Sequence, residues 1–210
     1  MYKNEPLSSH YFTKPNTKKP KKYNLRFDFK GHTISLVSGS GVFSKDHVDL
    51  GTLVLLESVS LPDEGEVLDM GCGYGALGIA IAKSRPKLKV TMVDINPLAV
   101  KLARENIEIN QVYNATALRS DLYSQLEGKK FDIIFSNPPL AAGYKTIFPM
   151  IEGAKAFLKE GGSLVLVLRK GTNAIPQKMR EVFNNVALIS RKSGYKVFLS
   201  IKTTNQPKTP

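Results

Sequence analysis

Residues 23–29 and 32–37 alternate apolar and polar side chains on either side of Lys30-Gly31, which predicts a β-hairpin near the start of the chain. A helix is expected next, near 46–59. The pattern then changes to short apolar runs at 66–70, 89–95, 115–120, 131–136 and 163–169, which read as buried strands, with helical spacing between them at 76–82, 97–110 and 146–159. Such alternation implies a parallel sheet covered by helices on both faces, with ligands bound at the strands' carboxyl ends. The last two apolar runs, 185–191 and 195–201, flank Ser193-Gly194 and form a second hairpin, so the final strand should run antiparallel to its neighbours. The predicted fold is α/β and Rossmann-like: a mostly parallel seven-stranded sheet with an antiparallel last strand, preceded by an N-terminal hairpin.

Chemistry enters at residues 67–78, where a strand ending in Asp69 meets a glycine-rich turn and then a helix. Gly71, Gly73 and Gly75 let the backbone turn tightly and approach a ligand, with Cys72 between them. The spacing fits G-x-G-x-G at 71, 73 and 75, and equally G-x-G-x-x-G at 73, 75 and 78, so NAD and S-adenosylmethionine (SAM) are both admitted. The next strand ends in Asp94, followed by Ile95 and Asn96, about 20 residues beyond the turn, where a ribose-binding acid belongs. Asp94 could instead cap the helix that begins at Pro97.

The discriminating feature is Asn137-Pro138-Pro139, at the end of the strand at 131–136. Neither proline has an amide hydrogen, so the turn is stiff and its carbonyls are not engaged by its own prolines. With the Asn137 side-chain oxygen they make a set of neutral acceptors, suited to holding an exocyclic NH2 group while its lone pair attacks a methyl carbon. A plain strand-ending turn is the other reading of the same residues.

In this order, the glycine loop, Asp94, Ser120-Asp121 and Asn137-Pro138-Pro139 resemble a class I SAM-dependent methyltransferase. Residues 10–14, 41–45, 48–52, 137–140 and 194–195 are similar to the methyltransferase small domain group, which includes ribosomal RNA guanine-N2 methyltransferases of the small-subunit type. The resemblance covers nearly the whole chain. It implies that Asp69 and the 71–75 backbone meet the methionine part of SAM, Asp94 the ribose and Asp121 the adenine amino group, while Asn137 and Pro138 hold the target amine. Leu140 stands where related enzymes often carry an aromatic that stacks on an extruded base; Tyr144 or Phe43 would supply the missing ring. Lys45 and Asp49 would close over the cofactor, unless a helix starts near Ser44, and Lys170 joins Phe43, Lys45 and Tyr144 as a substrate-side candidate. The chain departs from the group at 140–144, where an arginine and a lysine are usual, and at 171–175.

Composition narrows the class. A chain of 210 residues is expected to hold one main domain, read here as 23–202, with a basic arm at 1–22 and a tail at 203–210. One cysteine and three histidines exclude an intramolecular disulfide and disfavour a zinc site; no metal is expected. No membrane-spanning run or signal-peptide region is visible, so a cytoplasmic protein is expected. The net charge of +12 is uneven: residues 1–30 carry +6, residues 31–154 carry −3 and residues 155–210 carry +9. Basic ends around a slightly acidic centre fit an RNA partner and a cationic cofactor. Two readings stay beside the RNA methyltransferase: a protein-glutamine N-methyltransferase of the same fold, and a non-catalytic RNA-binding copy. Deleting residues 1–22 is expected to weaken RNA binding more than SAM binding; equal loss of both would make the arm a structural lid.

Overall fold

The computed structural model describes residues 21–139, 143–169 and 173–203. Strands β1 (Lys22–Phe29) and β2 (His32–Gly39) pair antiparallel as a separate two-stranded sheet, in register from Lys22 opposite Gly39 to Phe29 opposite His32. Lys30 and Gly31, with φ of 47° and 79°, both lie in the left-handed region that a tight two-residue hairpin turn demands.

Helix α1 (Leu50–Ser58) begins later than its composition suggests. Residues 41–47 form turns, with Ser44 at φ 52°, and Asp49 caps the helix by accepting from Thr52 N at 3.3 Å. The alternative helix start near Ser44 is therefore corrected to Asp49. A carboxylate placed at an extended residue satisfies an amide that the first turn leaves free.

The main sheet contains β3 (Gly65–Met70), β4 (Leu88–Asp94), β5 (Ala115–Arg119), β6 (Phe131–Ser136), β7 (Leu158–Arg169), β8 (Ala187–Lys192) and β9 (Tyr195–Ile201). Their spatial order is β5-β4-β3-β6-β7-β9-β8. All pairings are parallel except those of β9, which runs antiparallel to both β7 and β8. Strand β7 starts earlier than expected because Leu158 already pairs with Phe131 before a register shift leads to Ser163 opposite Ile133.

Helices α2 (Ala76–Ser84), α3 (Pro97–Ile109), α4 (Tyr144–Phe157) and α5 (Ala174–Phe183) complete the layers. Val67, Ile133, Val165 and Val167 face one core, shared with α1, α2, α3 and the hairpin, while Leu68, Ile134, Leu164 and Leu166 face the other, shared with α4 and α5. Strands buried on both faces explain why these segments are apolar runs rather than alternations. Among the described residues no helix is long and apolar enough to cross a membrane, and no cluster of three metal-ligating side chains occurs.

The hairpin docks through two asparagines one helical turn apart at the end of α3, Asn106 in its last turn and Asn110 as its C-cap. Asn106 accepts from Val37 N at 2.7 Å and donates to Val37 O at 2.9 Å. Asn110 does the same for Ser35, at 3.1 and 2.6 Å, so two side chains serve the outer edge of β2 as a neighbouring strand would. Asn106, fully buried, also donates to Tyr74 O at 2.8 Å and so ties the hairpin to the glycine loop. Replacing Asn106 with Ala strands three backbone groups, each costing about 1–3 kcal/mol when left unsatisfied. The Asn106→Ala variant is expected to lose about 3 kcal/mol or more of stability in urea unfolding followed by circular dichroism.

Candidate active site

A cavity of about 750 Å³ opens at the carboxyl ends of β3, β4, β5 and β6, within the roughly 300–1,000 Å³ of small-ligand sites. Its floor is the glycine loop. Gly71 N and Cys72 N both donate to Val93 O, at 2.8 and 2.9 Å, folding the loop against the end of β4. Gly71 and Gly73 line the cavity with φ of 74° and 56°, and a Cβ on either would project into open space. They therefore leave room for a ligand against bare backbone.

Gly75 and Gly78 do something else. Gly75, expected at the ligand, is absent from the cavity wall, and a Cβ there would lie 3.0 Å from Ile79 Cδ1. A Cβ on Gly78 would come within 2.4 Å of Met92 Sδ, so this glycine lets α2 sit close on β4. The overlapping glycine patterns thus divide into a cradle at 71 and 73 and a packing contact at 75 and 78.

Three carboxylates sit around this cradle. Asp94 accepts from Gly73 N at 2.8 Å and from Asn96 N at 2.9 Å, which fixes its orientation and uses two of its roughly four acceptor sites. Asp94 is not the helix cap: Asn96 is, accepting from Leu98 N at 3.0 Å while its amide donates to Gly41 O. Asn96 lines the cavity with its side chain already committed, and its neighbour Ile95 presents an exposed apolar surface to the same space. Asp121 lines the cavity and is exposed; the Ser120 hydroxyl shapes the loop beneath it by donating to Leu122 O and accepting from Gln125 N.

Asp69 is buried at 2% exposure, with the Gly78 amide donating to its Oδ2 at 3.0 Å. Burial pushes its carboxyl up to about 7, which the Gly78 bond opposes and Asp94 reinforces. Cys72 lines the cavity too, but burial foremost, with Asp69 and Asp94, drives its thiol well above the ordinary value. It offers no thiolate.

The opposite wall is the Asn137-Pro138-Pro139 turn after β6. The Asn137 amide nitrogen donates to Asp49 Oδ2 at 2.8 Å and to Thr52 Oγ1 at 3.0 Å. A carboxylate is acceptor-only, so it admits only the NH2 side of the amide and turns Asn137 Oδ1 the other way. Tyr195, at the start of β9, brings its hydroxyl to 3.5 Å from Asp49 Oδ1. A Cβ on Gly51 would meet both Asp49 Oδ2 and the Tyr195 ring at 2.7 Å, so glycine is required where these pieces converge. Burial, then the Asp49 charge, raises the Tyr195 phenol and keeps it a donor.

The remaining substrate-side candidates separate. Phe43 lines the cavity and is 55% exposed. Lys45 and Tyr144 are not on the cavity wall: the Lys45 carbonyl is held by the Ser38 hydroxyl, and the Tyr144 ring stacks on Phe148 at 5.1 Å. Leu140 and Lys170 lie outside the described residues, as does most of the basic arm. The residues that sequence reasoning missed are Thr52, Tyr195 and the role of Asp49. The recurring motifs at 48–52 and 194–195 were the available signal; nothing in their order along the chain says that they meet at Asn137.

The sequence profile of the methyltransferase small domain family matches residues 33–199. The Bacillus subtilis protein YbxB is 34% identical over 200 residues, covering 93% of this chain and all of that one. Ribosomal RNA small subunit methyltransferase C of Haemophilus influenzae is 37% identical over 79% of this chain, which spans only 50% of that relative's length. Among solved structures, the T. thermophilus 16S rRNA N2 methyltransferase RsmC, in complex with AdoMet and guanosine, aligns with a TM-score of 0.79 and 29% identity over 86% of this chain and 50% of its own. A Rossmann-like sheet with an antiparallel β9, a glycine cradle at the end of β3 and a family match over most of the chain lead to one conclusion: the chain belongs to the methyltransferase small domain family of class I, SAM-dependent methyltransferases.

Proposed function

We propose that the protein transfers a methyl group from SAM to the exocyclic N2 amine of a guanine in small-subunit ribosomal RNA, in the cytoplasm. The observation that carries this reading is the Asn137 amide, locked by Asp49 and Thr52 so that its oxygen is left as an acceptor at the cavity. The substrate of the T. thermophilus relative, guanine N2 of 16S rRNA, supports the same choice of base.

The donor set fits the cofactor. Open backbone at Gly71 and Gly73 admits the methionine part, and Asp69 faces that end with one oxygen bound to Gly78. Asp94, fixed by two backbone amides, keeps acceptor sites that would take ribose hydroxyls, Asp121 would accept from the adenine amino group, and Ile95 would offer it an apolar contact. When bound there, SAM supplies an electrophilic methyl group on a sulfonium. Asn137 Oδ1 accepts one hydrogen of the target amine and so holds the nitrogen lone pair in position. The amine nitrogen becomes acidic only once it carries the methyl group, and water then takes the proton, so the turn needs no basic side chain. Burial foremost raises the Cys72 thiol, which disfavours the thiolate adduct used in methylation of a pyrimidine ring carbon.

Tritiated methyl transfer to ribosomal RNA, 30S particles and protein fractions tests the reading; label is expected in RNA, and label in protein alone would reject it. Asn137→Ala is expected to lower turnover about 100-fold, the scale of a lost positioning contact, with SAM affinity by calorimetry unchanged. Equal turnover in that variant would remove Asn137 from the chemistry.

The raised Asp69 carboxyl gives a pH signature. With a folded value of about 7 against an ordinary 3.8, the cofactor-free protein keeps a proton that the unfolded chain releases, so its stability falls as pH rises from about 4 to 7. Pairing with the cofactor's ammonium needs the ionised form. SAM affinity is therefore expected to rise up to about tenfold per pH unit on approaching pH 7 and then level off. Calorimetry across this range should show the slope, and Asp69→Asn should abolish it.

A further inference from the structure

The carboxyl edge of the sheet is divided by charge. Over β3, β4 and β5 it carries three acids, Asp69, Asp94 and Asp121, all on the cavity wall, against Arg119 at the end of β5, which donates to Ile95 O. Beyond β6 the register places cations there instead. Arg169 ends β7, and because β9 is antiparallel to both β7 and β8, the turn joining β8 to β9 lies at the same edge. Arg169 stands opposite Tyr195, and one step inward Lys196 stands opposite Arg191. Lys145, in the first turn of α4, lines the cavity at its mouth.

Among the described residues these four cations carry no neutralising carboxylate, unlike several others in the fold. Lys22, Lys89, Lys159, Lys178, Lys192 and Lys202 each have a carboxylate partner. Among the described residues Lys145, Arg169, Arg191 and Lys196 have none, and the first three are exposed. Adjacent strands lie about 5 Å apart, so Arg169 on one face of the sheet, and Lys196 with Arg191 on the other, step outward from the Asn137 turn across three neighbouring strands and flank the edge from both sides.

We propose that this edge is the path of the RNA backbone, with the nucleotides flanking the target running from the cavity mouth outward across β7, β9 and β8. Lys145, Arg169, Lys196 and Arg191 pair with their phosphates. The inference rests on RNA being the substrate and assigns the surface that receives it. The acidic half of the edge repels phosphate and attracts a cationic cofactor, so a polyanion is admitted only from the basic half. Two of the four cations are arginines, whose planar fork matches a phosphate with two parallel hydrogen bonds.

The test compares the triple variant Arg169→Gln, Arg191→Gln, Lys196→Gln with a control of equal charge loss elsewhere, Lys87→Gln, Lys101→Gln, Lys129→Gln. Filter binding of each full-length protein to small-subunit ribosomal RNA is measured over a range of salt concentrations, and SAM binding by calorimetry. The edge variant should bind RNA about tenfold more weakly or worse and show a salt slope shallower by about two, from three lost contacts at about 0.7 each. SAM affinity should match the wild type. Equal losses in edge and control variants, or an unchanged slope, would overturn the path. If the wild-type protein binds this RNA but methylates neither it nor 30S particles, the proposed activity fails, and the slope comparison still decides the path.

Discussion

The carboxylate of Asp49 holds three distant stretches of chain to one geometry. It caps α1, accepts one amide hydrogen of Asn137 from the end of β6, and stands 3.5 Å from the hydroxyl of Tyr195 on β9. Without it, the two ends of the Asn137 amide would be nearly equivalent to their surroundings. A flipped amide would present NH2 to an incoming NH2, donor against donor, and the turn could no longer hold an amine. The bare Gly51 backbone is what lets the Tyr195 ring and the Asp49 carboxylate come so close.

The cofactor end of the cavity is built on a different principle. Asp69 is kept in a buried, poorly solvated position that raises it to about 7, an arrangement that opposes folding above pH 4 and becomes favourable when a cation arrives. The loop beside it is braced from outside, since Asn106 joins Tyr74 of the loop to Val37 of the hairpin. Tyr74 in turn donates to His47 O and ties down the segment that leads to Asp49. The N-terminal hairpin and the 41–49 turns are thus connected to both ends of the cavity by hydrogen bonds rather than by apolar contact alone.

Much of this was legible along the chain. The hairpin at Lys30-Gly31, the buried strands, the antiparallel β9 and the positions of Asp69, Asp94, Asp121 and Asn137 at strand ends follow from local periodicity, and local periodicity is a property of neighbouring residues. What was not legible depends on contacts across long separations. Asn137 and Asp49 are 88 residues apart, and Tyr195 and Asp49 146 apart. Asn106 and Asn110 look like polar residues on an amphipathic helix until β2 is laid against them. The roles of Gly75 and Gly78 were hidden for the same reason, because only the close seat of α2 on Met92 separates a packing glycine from one that cradles a ligand. The late start of α1 is an exception that local chemistry contained: Asp49, three residues before Thr52, is a good cap, whereas Ser44 lies in a left-handed turn.

The central claim is that the Asn137 turn presents an acceptor to the exocyclic amine of guanine. Ribosomal RNA methylated by the wild-type protein, digested to nucleosides and resolved by mass spectrometry, addresses it most directly. The account predicts that the new methyl group is found in N2-methylguanosine. A methyl group on a ring carbon, on a ribose hydroxyl or on an adenine would contradict it.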